Sequence, residues 1–267
     1  MSVRAAQEVA PGVHVMASRR YDTTSTVITS GPDALVIDPA WDADELAGIH
    51  PLIRHLGAQC VAGLATHLHY DHVLWHHDLG DVPRWSSEWA AVQWQHSRSD
   101  LIQPLIGDIP DDLVALAGRI TPVAEMSLPL GDRQITLHQH DAHARGHLAL
   151  EIADAGVLLA GDMLSDVELP YPDADEPDLS LYLDGLDRLA PVIARCHVLV
   201  PGHGTPSYAP MDRLDADRRY LDAVLSGDDT DDPRLAHEGM REIHQRTVEQ
   251  ARVTREGGQG HRRQSVT

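Results

Sequence analysis

The feature that most constrains the fold is a short run of metal-ligand residue types, Thr66-His67-Leu68-His69-Tyr70-Asp71-His72. Imidazole and carboxylate groups are the ligands that borderline metals such as zinc prefer. The run directly follows an apolar stretch, residues 60–65, which predicts a buried strand. We therefore expect a fold in which a strand ends in a cluster of metal ligands, because a rigid scaffold presents a site to solvent in this way.

Two later predicted strands also end in a residue that can bind metal. Residues 156–161 form a tight apolar segment that is followed by Asp162, and residues 197–200 lead through Pro201-Gly202 to His203. Predicted helices alternate with the strands, and no linker divides the chain. This pattern favours one α/β domain with its active site at the ends of strands.

The domain boundaries follow from the last part of the chain. We assign residues 1–256 to the single domain, with two C-terminal helices from about residue 212 that either cap the substrate pocket or form a homodimer interface. Residues 257–267 are predicted to be a disordered tail.

The first predicted helix carries a clear start signal and a conflicting residue. Asp42 has the position of an N-cap, and Glu45 completes a capping box three residues later. Pro51 interrupts the same apolar periodicity, so we expect it to disturb this helix or split it in two.

Composition excludes several classes of partner. The net charge of -20 argues against nucleic acid and anionic membranes, which both require basic patches. No stretch approaches the roughly 20 apolar residues of a membrane span, and the N-terminus shows no signal peptide, so a cytoplasmic location is expected. Cys60 and Cys196 lie in apolar segments and are interpreted as buried thiols rather than a disulfide.

In the order of its motifs, the chain resembles the metallo-β-lactamase superfamily of hydrolases over about residues 13–210. Four segments carry the resemblance: the full HxHxDH motif at residues 67–72, His143-Ala144-Arg145-Gly146-His147, Ala160-Gly161-Asp162, and Pro201-Gly202-His203-Gly204. The resemblance implies an α/β fold of the four-layer αββα sandwich type, with a two-metal site at one edge.

The resemblance also implies a role for each ligand-type residue. The implied ligands are His67, His69 and His143 for the first metal, Asp71, His72 and His203 for the second, and Asp162 as the bridge between them. The implied cofactors are two Zn²⁺ ions per chain, with iron or manganese as alternatives. Relatives with two histidines in the third motif usually ligate through the first, so His143 is chosen and His147 becomes a supporting or packing residue.

This site predicts hydrolysis without a serine or cysteine nucleophile. Two divalent ions roughly 3.5–4 Å apart can share a hydroxide and lower its pKa towards 7. The proton for the leaving group would come from a metal-bound water, from Asp71 or from Asp162, and the sequence leaves these three open.

Comparison with branches of the superfamily narrows the substrate. Asp162 as a bridge resembles the thioesterase and lactonase branch and not the β-lactamases. The chain contains no lysine, which weakens a glutathione thioester as substrate, and Ser165 stands where acyl-homoserine-lactone lactonases carry a tyrosine. We expect a hydrolase of a small-molecule ester, thioester or lactone. The alternatives are a mononuclear iron persulfide dioxygenase and a non-catalytic ligand-binding member of the fold.

Other prominent residues carry weaker expectations. Arg145 either contacts an anionic substrate group or forms a surface ion pair. Four tryptophans after the first motif either line an apolar pocket or, as we prefer, replace the absent phenylalanine in the core: Trp75, Trp85, Trp89 and Trp94. Five histidines without motif support are taken as structural or solvent-facing: His76, His77, His96, His138 and His140. The acidic runs 173–176 and 228–232 are expected to be solvated loops.

Overall fold

Two β-sheets form the centre of the protein, and the computed structural model describes residues 5–172 and 178–264. The first sheet has seven strands in chain order: β1 (Gln7–Ala10), β2 (Val13–Ala17), β3 (Thr24–Ser30), β4 (Asp33–Ile37), β5 (Gln59–Leu64), β6 (Arg84–Ser86) and β7 (Thr121–Pro122). The second has five strands: β8 (Ser127–Leu130), β9 (Arg133–His140), β10 (His147–Ile152), β11 (Val157–Gly161) and β12 (Val198–Pro201). Their spatial order is β12-β11-β10-β9-β8.

Helices cover the outer faces of both sheets. Those in the described ranges are α1 (Ala43–His55), α2 (Glu88–Leu101), α3 (Asp111–Val114), α4 (Leu179–Ile193), α5 (Pro210–Ser226) and α6 (Met240–Gln264). None of them combines the length and the apolarity that a membrane-spanning helix needs.

Apolar side chains on both faces of the strands form three apolar layers. Leu35 of β4 faces the space between the sheets, where it joins Leu150 of β10. Its neighbour Val36 faces outward and packs with Leu46 of α1. Leu158 of β11 likewise packs outward with residues of α4 and α5. Since side chains of a strand point alternately to its two faces, these strands are buried on both sides, and the predicted αββα sandwich is confirmed.

The first helix confirms its predicted start and corrects one prediction. Asp42 and Glu45 form the capping box of α1, with the Asp42 N–H 3.4 Å from Glu45 Oε2. Pro51 was expected to disturb or split this helix, but α1 runs unbroken from Ala43 to His55. The helix persists because its buried face, which includes Ile49 and Ile53, packs against the first sheet on both sides of the proline, and tertiary packing overrides local propensity.

Parallel strand pairs bring four chain segments to one edge of the sandwich. β4 and β5 are parallel neighbours in the first sheet, and β11 and β12 are parallel neighbours in the second. The N–H of Thr24 donates to the carbonyl of Gly202 at 2.7 Å, and the N–H of Leu148 donates to the carbonyl of Thr66 at 2.8 Å. These bonds tie the two sheets together where β5, β11 and β12 end, so the ligand-type residues that follow these strands meet at one place.

The C-terminal helices pack on their own chain. Leu214 and Leu221 of α5 and Met240 of α6 belong to the core outside the second sheet. The homodimer remains a prediction. The described backbone of α6 runs to Gln264, and the disorder of the tail 257–267 stays a prediction. The acidic run 173–176 and the last residues, 265–267, lie outside the described residues.

Tryptophans and cysteines occupy structural positions. Trp75 and Trp94 are buried in the core beneath the first sheet's helices, and Trp89 packs against the same core. Trp85 packs against the layer between the sheets. These positions agree with the preferred core interpretation. Both cysteines are free thiols, as predicted, and burial raises the pKa of each to about 11.

Candidate metal centre

The first group of donor atoms forms where β5 and β11 end. His67 Nε2 lies 2.9 Å from His69 Nδ1 and 3.3 Å from Asp162 Oδ2. His143 Nε2 lies 3.2 Å from His69 Nδ1 and 3.5 Å from the same oxygen of Asp162. Three imidazoles and one carboxylate thus converge on one small volume.

The second group lies beside the first and is joined to it by Asp162. Asp71 Oδ2 is 3.4 Å from His72 Nε2 and 3.3 Å from His203 Nε2. Asp162 Oδ1 is 3.2 Å from His72 Nε2, and Asp162 Oδ2 is 3.3 Å from His203 Nε2. The carboxylate of Asp162 therefore contacts donors of both groups.

The spacing and chemistry of these donors fit metal ions. A tetrahedral site with ligands about 2.0–2.1 Å from zinc separates its ligand atoms by about 3.3–3.4 Å. The distances given above between donor atoms of the two groups run from 2.9 to 3.5 Å. Neutral imidazole and ionised carboxylate are also the donor types that zinc accepts. All seven residues predicted from the sequence are brought together, and their assignment as ligands remains a prediction.

Bonds behind the imidazoles fix their orientation. His143 Nδ1 lies 2.8 Å from the carbonyl of Tyr171, and His203 Nδ1 lies 2.9 Å from the carbonyl of Tyr21. A ring nitrogen that donates to a carbonyl leaves Nε2 free to bind metal, and such partners hold the ring in place. Backbone acceptors of this kind leave no mark in the sequence.

Burial and charge compete at the titratable groups of the centre. Burial lowers the pKa of His67 well below its usual value and so favours the neutral, ligating form. At His72 burial acts in the same direction, but the charges of Asp162 and Asp71 outweigh it and raise the pKa well above its usual value. Burial opposes ionisation of these two carboxyls, yet His72 and His203 hold the pKa of both well below the usual range. The carboxylates are ionised at neutral pH, as ligation requires.

His147 lies behind the donors. Its Nε2 accepts the N–H of Asp162 at 3.2 Å. Its ring is stacked between those of His67 and His140, with centroids 4.8 and 4.6 Å away. Gly161 has a positive φ of 56°, and a Cβ there would come within 2.3 Å of the His147 ring. The close approach requires glycine at this position, and His147 supports the backbone of Asp162 from that side.

Residues that the sequence analysis did not single out also shape the centre. Asp38, which follows β4, accepts the N–H and hydroxyl of Thr66 at 2.7 Å each and lies 3.1 Å from His72 Nδ1. Its position at the end of a buried strand was a readable signal. Glu168 Oε1 lies 3.8 Å from His203 Nδ1 and had no comparable signal.

The remaining predicted residues lie away from the donors. Arg145 is exposed, with its guanidinium 5.8 Å from the centroid of the Trp89 ring. His77 and His96 are exposed and His76 is half-buried. His138 lies 2.8 Å from Glu151 on the second sheet, and His140 is buried against His147. These histidines contribute no atom to either donor group.

Comparison with known proteins identifies similar sequences. A family model described as the metallo-beta-lactamase superfamily matches residues 19–228. The chain is 27% identical over 157 residues to the acyl-coenzyme A thioesterase MBLAC2 of Bos taurus and, equally, of Homo sapiens. Each match covers 52% of this chain and 54% of the relative. The chain thus spans about half the length of the curated relatives it matches.

Solved structures share the fold. A metallo-beta-lactamase family protein from Thermus thermophilus, TTHA1429, has a TM-score of 0.67 at 20% identity, covering 94% of this chain and 95% of that one. A beta-lactamase domain protein from Burkholderia ambifaria has a TM-score of 0.62 at 22% identity, covering 84% and 78%. At these identities the likeness establishes the fold alone.

Proposed function

The chain belongs to the metallo-beta-lactamase superfamily, and from this premise we propose that it is a dinuclear metal-dependent hydrolase of a small-molecule thioester, ester or lactone. The observation that carries the proposal is the position of the Asp162 carboxylate, which contacts donors of both groups. Similarity to proteins named acyl-coenzyme A thioesterases supports a thioester as the first substrate to test.

The two donor groups would hold one ion each, with Asp162 shared. We propose Zn²⁺ for both, with iron or manganese as alternatives that accept the same ligands. The first ion would be held by His67, His69 and His143, and the second by Asp71, His72 and His203. When bound, such a pair supplies a nucleophile from water near neutral pH and polarises the substrate carbonyl.

We propose that Asp71 or Asp162 passes the proton to the leaving group. Asp71 and Asp162 are buried and ionised, and they face the space between the donor groups. A proton from the attacking water that reaches either carboxylate would pass readily to the leaving group, because a lowered pKa makes a carboxyl a strong proton donor. Thr23 Oγ1 lies 3.3 Å from Asp71 Oδ2, where its hydroxyl can donate and hold that carboxylate in place.

Metal analysis joined to a substrate panel tests the proposal. Protein loaded with zinc is expected to bind about two ions per chain and to hydrolyse members of a panel of chromogenic thioesters, esters and lactones. His69→Ala is expected to lose one ion and most of the activity. His77→Ala is the matched control, because His77 is exposed and lies outside both donor groups.

Three outcomes would contradict the proposal. One is a His69→Ala protein with two ions and full activity. Another is stoichiometric iron together with sulfide-dependent oxygen uptake, which would favour the persulfide dioxygenase. The third is no turnover of any panel member with any metal, which would favour a non-catalytic binding protein.

A further inference from the structure

A buried ion pair lies behind the loop that follows β11, outside both donor groups. Asp217 of α5 and Arg234, in the 3₁₀ turn Pro233–Ala236, are 1% and 3% exposed. The Nη1 of Arg234 donates to Asp217 Oδ1. Asp232 accepts from the other side of the guanidinium, at 2.9 Å from Nε and 2.8 Å from Nη2. The guanidinium is therefore held in one orientation by two carboxylates.

Both members of this pair bond to the backbone of the loop. Arg234 Nη1 donates to the carbonyls of Ser165 and Glu168, each at 3.2 Å. Asp217 Oδ2 accepts the N–H of Leu164 at 3.2 Å. Leu164 has a φ of 62°, a conformation that a leucine adopts only when its surroundings impose it. The pair thus bonds three backbone groups of the irregular segment 162–168.

That segment leads directly to the donor groups. It begins at Asp162, whose carboxylate contacts donors of both groups. The hydroxyl of Ser165 donates to the carbonyl of His203 at 2.7 Å and accepts the N–H groups of Val167 and Glu168 at 3.0 Å each. A shift of the segment would therefore move Asp162 and the backbone of His203 together.

Stability alone is a poor reason for such a pair. Removing two charges from water costs more than their attraction returns unless further hydrogen bonds complete the site, and apolar side chains of similar volume often stabilise a protein as well. The additional bonds here go to backbone groups of Leu164, Ser165 and Glu168, which lie in the irregular loop after β11.

We infer that Asp217 and Arg234 are positioning residues that hold the segment 162–168 in the conformation in which Asp162 contacts both donor groups. The inference rests on the proposed metal centre. By this inference, α5 and the 3₁₀ turn hold the segment that carries Asp162. This role is in addition to any part that they have in a substrate pocket or a homodimer interface.

The variant Arg234→Lys tests this role. Lysine keeps the charge beside Asp217 but lacks the planar fork that reaches two carbonyls and a carboxylate at once. We expect the zinc dissociation constant, from competition with a chromogenic chelator, to rise about 10-fold, as for other residues that support metal ligands. In the zinc-free protein, the amide hydrogens of Leu164 and Glu168 should exchange faster, and kcat should fall with little change in KM.

Two control variants separate positioning from general stability. Leu221→Ala removes a fully buried side chain from α5 but none of the hydrogen bonds to the segment, so it lowers Tm through a cavity. Arg218→Lys alters an exposed ion pair between α5 and α4. Both are expected to keep the zinc affinity and the amide exchange of segment 162–168. An unchanged zinc affinity in Arg234→Lys, or an equal loss in Leu221→Ala at a similar Tm, would overturn the inference.

A second variant and the unmodified protein complete the test. If Arg234→Lys does not fold, Asp217→Asn is measured in the same way, because asparagine keeps the volume and one oxygen but loses the charge. An unmodified protein that binds no zinc contradicts the proposed function. An unmodified protein with two zinc ions beside a variant of unchanged affinity contradicts only the inference about Asp217 and Arg234.

Discussion

Two parts of the metal centre are held in place by different kinds of contact. The local half, residues 67–72, lies in one turn after β5, where the N–H of His72 donates to the carbonyl of His69 at 3.1 Å. The distributed half consists of His143, Asp162 and His203, and its members come from three segments of the chain. Bonds to Tyr171, to Tyr21 and to the Asp217–Arg234 pair hold it. We conclude that the local half combines its own turn with tertiary contacts to Asp38 and Thr23, whereas the distributed half depends on tertiary contacts alone.

The largest effect is expected at the residue that joins the two donor groups. Asp162→Asn should lose both metals and reduce kcat/KM about 10³-fold or more, since it removes a shared anionic ligand. Asp71→Asn changes only the second group and should retain about one metal with a smaller loss. The two variants are compared by their metal content and by their kcat/KM. Two metals retained in Asp162→Asn would contradict the bridging role.

The third motif gives the next prediction. His143→Ala removes a donor from the first group, so metal content should fall towards one ion per chain while Tm changes little. His147→Ala leaves the donors but takes a buried acceptor from the Asp162 N–H, and should lower the stability by about 1–3 kcal/mol. Metal analysis and thermal unfolding of the two variants check this. The opposite pattern would make His147 the ligand.

Much of this architecture was predictable because its signals are local. Residues 67–72 stand together in the sequence, and Asp162 and His203 end predicted strands. His143 carries no such signal and was assigned only through the resemblance. The Asp217–Arg234 pair was not predictable, because its residues lie on different elements and follow no periodicity. Pro51 was misjudged for a similar reason, since the packing that keeps α1 whole is a tertiary property.

The pH dependence of stability should differ between the halves in the metal-free protein. His140 supports the distributed half through His147, and burial lowers its pKa to about 3. Since the unfolded chain takes up this proton near pH 6.5, stability is lost as the pH falls below that value. His72 in the local half has a raised pKa, so its contribution is lost as the pH rises.

Denaturant unfolding at pH 7 and pH 5 measures the contribution of His140. The unmodified protein should lose about 2 kcal/mol more over this interval than His140→Gln, which cannot take up the proton. His77→Gln is the control, because it replaces an exposed histidine. Equal losses in the unmodified protein and in His140→Gln would show that His140 is not held in its neutral form.

The smallest effect on stability is expected at the start of α1. A variant there tests whether zinc affinity follows global stability. Asp42→Ala removes the capping box and should lower the stability by about 1 kcal/mol, or about 2–4 °C in Tm. Asp44→Ala is the control, because it removes an exposed partner of Arg19 but not the cap, and should leave Tm nearly unchanged.

The zinc affinities of Asp42→Ala and Arg234→Lys test whether the two halves of the metal centre are held independently. Asp42 makes no contact with segment 162–168 among the described bonds, so Asp42→Ala should bind zinc as tightly as the unmodified protein. Arg234→Lys should not, because its bonds reach the loop that carries Asp162. If the lost cap weakened zinc binding as much as the altered guanidinium, the centre would respond to global stability alone, and its two halves would not be held independently.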